Sequence, residues 1–182
     1  MVALATIVTT NLLKAKEIRR SDQKIDWIAA NDAKQIDAMR DSSGIEQFRS
    51  AQIPKEVLEQ THLPVLVFGS GPVRAAPKIY TQGVSYASTY SIGSDTKLTV
   101  LGSRSAIELD EQSTFVGNLE AENNVPYTID YFEDGIDLNF SRFGATYTLR
   151  LTCAKASDKR CTEKDFIEKA YESLITVGGA EK

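Results

Sequence analysis

The feature of this sequence that most constrains its fold is a run of alternating residues at 126–153, PYTIDYFEDGIDLNFSRFGATYTLRLTC. Apolar and polar side chains alternate there with the two-residue period of a β-strand that has one buried face and one solvated face. Asp134-Gly135 is a strong signal for a tight hairpin turn, and Gly144-Ala145 suits a second one. The pattern therefore predicts a meander of three antiparallel strands.

Two-residue loops at these turns predict which residues lie opposite each other on the apolar face. The predicted pairs are Tyr131–Leu138, Ile129–Phe140, Phe140–Leu149, Leu138–Leu151 and Ile136–Cys153. A slip of one residue would bring polar side chains into the core, so the apolar face is well specified. The opposite face is polar and is expected to meet water; it carries Thr128, Asp130, Asn139, Thr146, Thr148 and Arg150.

The segment after the meander has the period of an amphipathic helix. Thr162 and Asp165 form a T-x-x-D resembling a capping box, and Gly178 stands where a left-handed C-cap is expected. Between them lies one wide apolar face, formed by Phe166, Ile167, Ala170, Tyr171, Leu174 and Ile175. We expect this C-terminal helix to cover the apolar face of the meander.

The middle of the chain, from residue 62 onward, is rich in Val, Thr, Tyr, Leu and Gly, which is typical of β-strands. LPVLVFG (63–69) is a short continuous apolar run and predicts a buried strand. GVSYASTYSI (83–92) and TKLTVLG (96–102) flank a Gly-Ser-Asp turn and predict a hairpin. STFVGNL (113–119) is a weaker strand candidate.

The amino-terminal part is polar and helix-prone. A helix capped by Ser21 or Asp22 is predicted there, with a thin apolar stripe of Ile25, Ile28, Ile36 and Met39. PKEVLEQT (54–61) predicts a second short helix with Pro54 in its first turn.

These predictions together give an α+β fold. The antiparallel sheet, built from the hairpins and the meander, is covered on one face by the C-terminal helix. Residues 1–61 are interpreted as an N-terminal helical arm or linker, and residues 62–182 as the α+β globular domain. A chain of 182 residues is long enough to bury a core of this size.

The two cysteines, Cys153 and Cys161, close a strand and precede the helix cap, respectively. The seven polar, turn-prone residues between them allow the approach that a disulfide requires. Two thiols alone are too few for a zinc site, and there is no C-x-x-C motif. The sequence thus favours a disulfide, and two free buried thiols remain the alternative.

The net charge, the cysteines and the amino-terminal segment bear on the cellular location of the protein. A net charge of −4 and a pI near 5.1 argue against a nucleic-acid partner, and no apolar run is long enough for a transmembrane segment. A disulfide implies an oxidising compartment. Ala3-Leu4-Ala5 has the A-x-A form of a signal cleavage site, so we expect a periplasmic or secreted protein; a packed helix or strand is an equal interpretation of this segment.

Catalytic patterns are sparse. The chain has one histidine, His62, and no G-x-S-x-G elbow, so a Ser-His-Asp triad is not indicated. No calcium-loop or P-loop spacing is complete, and we predict no metal and no cofactor. Carboxylate pairs are always available in a chain with 25 acidic residues, because their pairing is spatial.

Aromatic residues suggest the one candidate binding face. Tyr86 and Tyr90 share a face of one strand, with Arg104 beyond the next strand and Arg142 near the second meander turn. Tyrosines on a sheet can bind sugars or peptides through an apolar ring and a polar tip. The alternative is that these tyrosines are half-buried strand residues.

Several stretches resemble a group of uncharacterised exported proteins of alphaproteobacteria: LPVLVFG, YASTYS, LGSR, FSRFGATYTLRLTC, Cys161 and the terminal ITVGG. The resemblance extends over residues 63–179. It implies an envelope location and a paired cysteine, and it brings no activity, ligand or catalytic residue.

Two classes of function follow. The first is a non-enzymatic envelope protein, a small module that binds an envelope protein or polymer through its uncovered sheet face. The alternative is a hydrolase or lyase that acts on envelope polymers with carboxylates, or a secreted inhibitor or effector. A cleft with two facing acids would favour the enzyme, and a flat tyrosine-bearing face would favour the binding module.

Overall fold

The computed structural model describes residues 19–40, 53–69, 71–73, 75–108 and 126–181. The elements, in chain order, are β1 (Arg19–Asp22), α1 (Trp27–Arg40), α2 (Lys55–Gln60), β2 (Val65–Phe68), β3 (Lys78–Thr81), β4 (Ser85–Ser91), β5 (Thr96–Ser103), β6 (Ser105–Glu108), β7 (Tyr127–Phe132), β8 (Gly135–Arg142), β9 (Ala145–Cys153), α3 (Lys159–Thr162), α4 (Asp165–Glu172) and β10 (Leu174–Gly178). This mixture confirms the predicted α+β class. The strand predicted at 113–119 and the A-x-A segment at 3–5 lie outside the described residues.

The largest sheet has six antiparallel strands in the order β3-β4-β5-β9-β8-β7. It contains the predicted β4–β5 hairpin and the predicted β7–β8–β9 meander, which are joined by pairing between β5 and β9. Two smaller antiparallel pairs accompany it, β10 with β2 and β1 with β6. All four residues of β2 are buried, which confirms the buried strand predicted at LPVLVFG.

The meander has the predicted faces, but its register is displaced by two residues from the prediction. Ile129 pairs with Leu138 instead of Phe140, and Leu138 pairs with Leu149 instead of Leu151. An even displacement leaves every side chain on the face that was predicted for it. The apolar pattern is therefore insensitive to an error of this kind.

The turn residues explain the displacement. Gly135 begins β8 instead of standing in the turn, and only glycine fits there, because a side chain would collide with the carbonyl oxygen of Leu151 on β9. In the second turn the two loop residues are Phe143 and Gly144, whose φ angles of 55° and 78° are both in the left-handed region. This is the backbone shape of a type I′ hairpin, which matches the twist of the flanking strands.

The six-stranded sheet has one buried and one solvated side. Along β9 every second residue from Ala145 to Cys153 is buried, and the residues between them are half-buried or exposed. Directly paired residues project to the same side, so the register carries this alternation across the strands. We call the buried side the core face and the other the open face. The polar set predicted to meet water lies on the open face, and each of its members is half-buried or exposed.

β2 packs against the core face at β4, β5 and β9. The ring of Phe68 lies edge-on to that of Tyr90, with centroids 4.8 Å apart. The hydroxyl of Tyr147 donates a hydrogen bond of 2.8 Å to the carbonyl oxygen of Pro64. Burial raises the pKa of Tyr147, since the charged phenolate would lose its hydration.

Helix α4 contacts β7 and β8 through aromatic rings. The ring of Tyr171 lies 4.9 Å from that of Phe140 and 5.1 Å from that of Tyr127. The hydroxyl of Tyr127 also donates a 2.8 Å hydrogen bond to Glu168, and desolvation together with this bond raises the pKa of Tyr127 to about 12. The core face is thus packed against both α4 and β2.

The predicted C-terminal helix is wrong in extent. Helix α4 ends at Glu172, and the residues predicted as its last turn, Leu174–Gly178, form strand β10. The T-x-x-D cap is also wrong, since α4 follows Lys164 and has no side-chain cap. Consecutive β-branched residues at 175–177 favour a strand, and β10 supplies backbone hydrogen bonds that the buried β2 requires.

Helix α1 differs from the predicted arm helix at its start and on its apolar stripe. Asp26, instead of Ser21 or Asp22, accepts a hydrogen bond of 3.0 Å from a first-turn amide, that of Ala29. Three of the four stripe residues are exposed, namely Ile28, Ile36 and Met39. The second helix, α2, forms where it was predicted, but Pro54 stands at its N-cap instead of in its first turn.

Described parts of the proposed arm contact the rest of the chain. Ile25 and Ile53 belong to the hydrophobic core. The buried carboxylate of Asp37 accepts a 2.9 Å hydrogen bond from the amide of Thr176 on β10. The domain boundary at residue 62 stays a prediction, and these contacts lie across it.

The two cysteines form the predicted disulfide. Cys153 closes β9 and Cys161 lies in α3, with their Cα atoms 6.2 Å apart. Both residues are buried. Helix α3 is capped by Asp158, which accepts a 2.9 Å hydrogen bond from the amide of Arg160. The bridge therefore ties a capped helix to the end of a central strand.

Candidate functional site

The two tyrosines predicted as exposed anchors are core residues. Tyr86 is 4% exposed and Tyr90 is fully buried. They share one face of β4, as predicted, but it is the core face, against which β2 packs. The prediction that they are exposed anchors is therefore wrong, although Tyr86 is among the residues that line the groove described below.

Tyr86 is tied to β2 by its hydroxyl. The hydroxyl accepts a hydrogen bond of 2.8 Å from the amide of Leu66 and donates one of 3.4 Å to the carbonyl oxygen of the same residue. Gly102, directly opposite on β5, leaves room for the ring, because a side chain there would overlap it. Burial raises the pKa of Tyr86 well above the ordinary value. The residue is thus a neutral core tyrosine.

The two predicted arginines each make a contact within the fold. Arg104 follows β5, and its Nε donates a 3.0 Å hydrogen bond to the carbonyl oxygen of Gln23, which ties the β1 segment to the sheet. Arg142 ends β8 with its guanidinium 4.9 Å from the ring centroid of Phe143. Both arginines have structural contacts, and neither lines the groove described below.

The open face on the β7–β9 side is an ordered polar network. Thr148 donates a 2.7 Å hydrogen bond to Asn139, and Asn139 donates one of 2.9 Å to Asp130. Beside these hydrogen bonds, Arg150 forms a bidentate ion pair with Asp137, which raises the pKa of Arg150. These groups satisfy one another across three strands, so this half of the open face is preorganised.

The open face on the β3–β5 side contains a groove of about 390 Å³. Two rows of paired residues that cross the strands line it. The first row is Tyr80, Ala87, Leu101 and Thr148; the second is Ser85, Ser103 and Thr146. This volume lies within the roughly 300–1,000 Å³ range of ligand pockets. The groove is the candidate functional site.

Tyr80 gives the groove its aromatic wall. Its side chain is 68% exposed, although it is a large ring in a strand. Its neighbour across the strands is Ala87, whose small side chain leaves a depression between Tyr80 and Leu101. An exposed ring beside a depression offers an apolar surface to a ligand, with the hydroxyl at its tip.

Sequence reasoning could have found the groove only in part. The two-residue period places Ala87 and Tyr86 on opposite faces of the strand, and the sequence predicts this assignment. What the pattern does not contain is which of the two faces β2 covers. The residues around Tyr80 do not alternate clearly between apolar and polar. The sequence therefore does not show whether Tyr80 lines a groove or is an ordinary residue of an edge strand.

No residue that lines the groove carries a carboxyl, imidazole, amino or thiol group. All ten of its lining residues are uncharged. Two acids elsewhere, Asp158 and Glu168, have lowered pKa values: for Asp158 the main cause is the ion-paired hydrogen bond from Arg160, and for Glu168 it is the hydrogen bond from Tyr127. Among the described side chains, no three His, Cys, Asp or Glu residues gather in a way that suits a metal ion.

In the part of the chain that the structure describes, none of the helices has the length and apolar character needed to cross a bilayer. Comparison of the chain with protein-family models, with curated proteins and with solved structures yields no match.

Proposed function

We propose that this protein is a non-enzymatic module of the bacterial cell envelope that binds an envelope component in the groove of the open face. The observation that carries the proposal is the groove itself, whose neutral, hydroxyl-rich lining includes an exposed tyrosine. Such a lining offers contact area and hydrogen bonds, and it contains no carboxyl, imidazole, amino or thiol group.

The rigid surroundings support a binding role. The floor of the groove consists of strands held by continuous antiparallel pairing from β3 to β9. The network centred on Asn139 fixes the adjoining half of the face. A site on rigid strands loses little conformational entropy when a ligand binds, which favours affinity.

The envelope location rests on the disulfide between Cys153 and Cys161. Disulfides form and persist in oxidising compartments such as the periplasm. The resemblance to exported proteins of alphaproteobacteria supports the same location.

The test is sedimentation of the purified protein with isolated envelope fragments. Ala87→Arg fills the depression between Tyr80 and Leu101 and is expected to abolish cosedimentation. Ser91→Arg is the matched control, since Ser91 lies on the same strand and the same face, is exposed, and does not line the groove. This control is expected to sediment like the wild type.

Melting temperatures of both variants establish that they are folded. If Ala87→Arg sediments as well as the wild type, the groove is not the binding site. If the wild type itself stays in the supernatant, the proposed envelope function is wrong.

A further inference from the structure

We propose that the ligand of this groove is an uncharged, polyhydroxylated chain of the glycan class, which stacks on Tyr80 and donates hydroxyl hydrogen bonds to the groove. The inference rests on the proposed function, because it names the ligand class of the same site. The inference is argued from the charge of the groove, the hydrogen bonds of its hydroxyl groups, its exposed tyrosine and its direction across the sheet.

The charge of the groove favours a neutral ligand. A quarter of the residues in this chain are charged, yet all ten residues that line the groove are uncharged. The arginine of the adjoining network, Arg150, is already paired with Asp137. An ionised ligand would therefore lose hydration without gaining a counter-charge, which is costly.

The hydroxyl groups of the groove favour a ligand that can donate hydrogen bonds. The Thr148 hydroxyl donates its only proton to Asn139, and the Thr146 hydroxyl donates its proton to the carbonyl oxygen of Ser103 at 3.2 Å. Both oxygens are consequently left as acceptors toward the groove. The hydroxyls of a sugar are donors as well as acceptors, so they suit these two positions.

Tyr80 supplies the apolar half of the recognition. Its ring is 68% exposed and stands at the end of the row that continues through Ala87 and Leu101. The C–H-rich face of a sugar ring is apolar while its rim is polar. Stacking on a tyrosine buries the former and leaves the latter free for hydrogen bonds.

The direction of the groove disfavours an extended peptide. The groove runs across four strands, which is about 14 Å at the usual strand spacing. A peptide recognised by strand addition would instead lie parallel to an edge strand, β3 or β7, and pair with its backbone. A chain laid perpendicular to the strands meets side chains only, as a glycan would.

The experiment is isothermal titration calorimetry with hexasaccharides, using the full chain with its disulfide intact. The neutral probes are α- and β-linked glucans, a mannan, a galactan and a chitin hexamer. The charged probe is a hexagalacturonate, and the peptide probe is an end-capped Gly-Ser hexapeptide. We expect at least one neutral saccharide to bind with an affinity that changes little between low and high salt.

The diagnostic variant is Tyr80→Ala, and Tyr131→Ala is its matched control. Tyr131 is likewise exposed, at 57%, but it lies on the edge strand β7 and does not line the groove. Loss of an aromatic anchor is expected to weaken saccharide binding roughly tenfold or more. The control is expected to bind as the wild type does.

The outcomes separate this inference from the proposed function. If no neutral saccharide binds at millimolar concentration, or if only the hexagalacturonate or the hexapeptide binds, the glycan ligand is wrong. Cosedimentation that is still abolished by Ala87→Arg would then leave the proposed function standing. Saccharide binding that Tyr80→Ala and Tyr131→Ala weaken equally would also overturn the assignment to this groove.

Discussion

Tyr80 and Tyr86 lie six residues apart on neighbouring strands, yet one is 68% exposed and the other 4% exposed. Tyr80 pairs with Ala87, and Tyr86 pairs with Thr81, so the two rings project to opposite faces of the sheet. Residue type alone therefore does not decide the role of a tyrosine here. The role of each tyrosine depends on which face of the sheet its position in the strand gives it, and on what packs against that face.

The hydroxyl of Tyr86 is expected to contribute to stability. Tyr86→Phe leaves the buried amide of Leu66 without its acceptor, which should lower the free energy of unfolding by about 1–3 kcal/mol. Urea unfolding of the two proteins measures this difference. Tyr80→Phe is the control and should change stability little, because its side chain meets water. Equal losses in both variants would contradict the assignment of Tyr86 to the core.

Asp158 is expected to give the protein a pH-dependent stability in the acid range. The ion-paired hydrogen bond from Arg160 lowers the pKa of Asp158 from 3.8 to about 2. A lowered pKa in the folded state means that the stabilisation is complete above about pH 4 and is lost as the pH falls toward 2.

The measurement is an NMR titration of the Asp158 carboxyl group. Arg160→Gln should raise its pKa toward 3.8, whereas Lys159→Gln should leave it unchanged, because Lys159 pairs with Glu163. An Asp158 pKa that is the same in wild type and Arg160→Gln would show that the ion pair does not form in solution.

At the scale of elements, the carboxyl-terminal segment shows how a partner strand overrides a helical pattern. Helix α4 buries Ile167 and Ala170, as its amphipathic period predicts. The helix nevertheless stops at Glu172, and Leu174 then pairs with Phe68 on β2. Without β10, the buried strand β2 would lack backbone partners, so pairing outweighs the continuation of the helix.

The meander and β10 are expected to contribute more to stability than α1. Leu151→Ala and Leu174→Ala should each cost about 2–5 kcal/mol, since both side chains are buried. Ile36→Ala should cost much less, because Ile36 is 48% exposed on α1. Denaturant unfolding of the three variants compares these costs, and similar values at all three positions would contradict the burial pattern.

Helix α1 is expected to be held to β10 by one buried carboxylate. Asp37→Ala removes the acceptor of the Thr176 amide and should cost about 1–3 kcal/mol. Asp32→Ala, an exposed position on the same helix, should be close to neutral. Hydrogen exchange at Thr176 should accelerate in the first variant only. Unchanged exchange there would mean that α1 does not dock through Asp37.

At the scale of the whole molecule, contacts far apart in sequence hold the amino-terminal elements on the sheet. Gln23 and Arg104 exchange hydrogen bonds beside the β1–β6 pair. The turn at Gly144 comes so close to the backbone of Lys24 that a side chain at residue 144 would collide with it. The amide of Asp26 also donates to the carbonyl oxygen of Phe143 at 3.0 Å. The second meander turn thus serves as the docking point for the segment that leads into α1.

The disulfide is expected to form in the protein purified from an oxidising compartment. The intact mass should be lower by two hydrogens than after reduction, and the native thiols should not react with a maleimide. Replacing both Cys153 and Cys161 by Ala should cost about 2–3 kcal/mol, because the bridge closes a short loop in the unfolded chain. Two reactive thiols in the native, unreduced protein would remove the main support for the envelope location.

The sequence by itself determined the strands of the meander and the face on which each of their side chains lies, and it favoured the pairing of the two cysteines. These are local properties: a two-residue period assigns faces, and eight positions separate Cys153 from Cys161. The buried strand β2 and the short helix α2 were also readable from composition and from Pro54.

Only the tertiary structure decided the register, the identity of the covered face and the location of the groove. A displacement of two residues leaves a two-residue period unchanged, so the close approach of Gly135 to β9 and the turn geometry at Phe143 had to select the pairing. The strand β10 exists because of β2, which lies more than a hundred residues earlier in the chain. The groove joins side chains from strands spread over residues 78–153, which come together only through long-range strand pairing. It stays open because β2 packs on the side of the sheet that carries Tyr86 and not on the side that carries Tyr80. No local sequence pattern contains either of these facts.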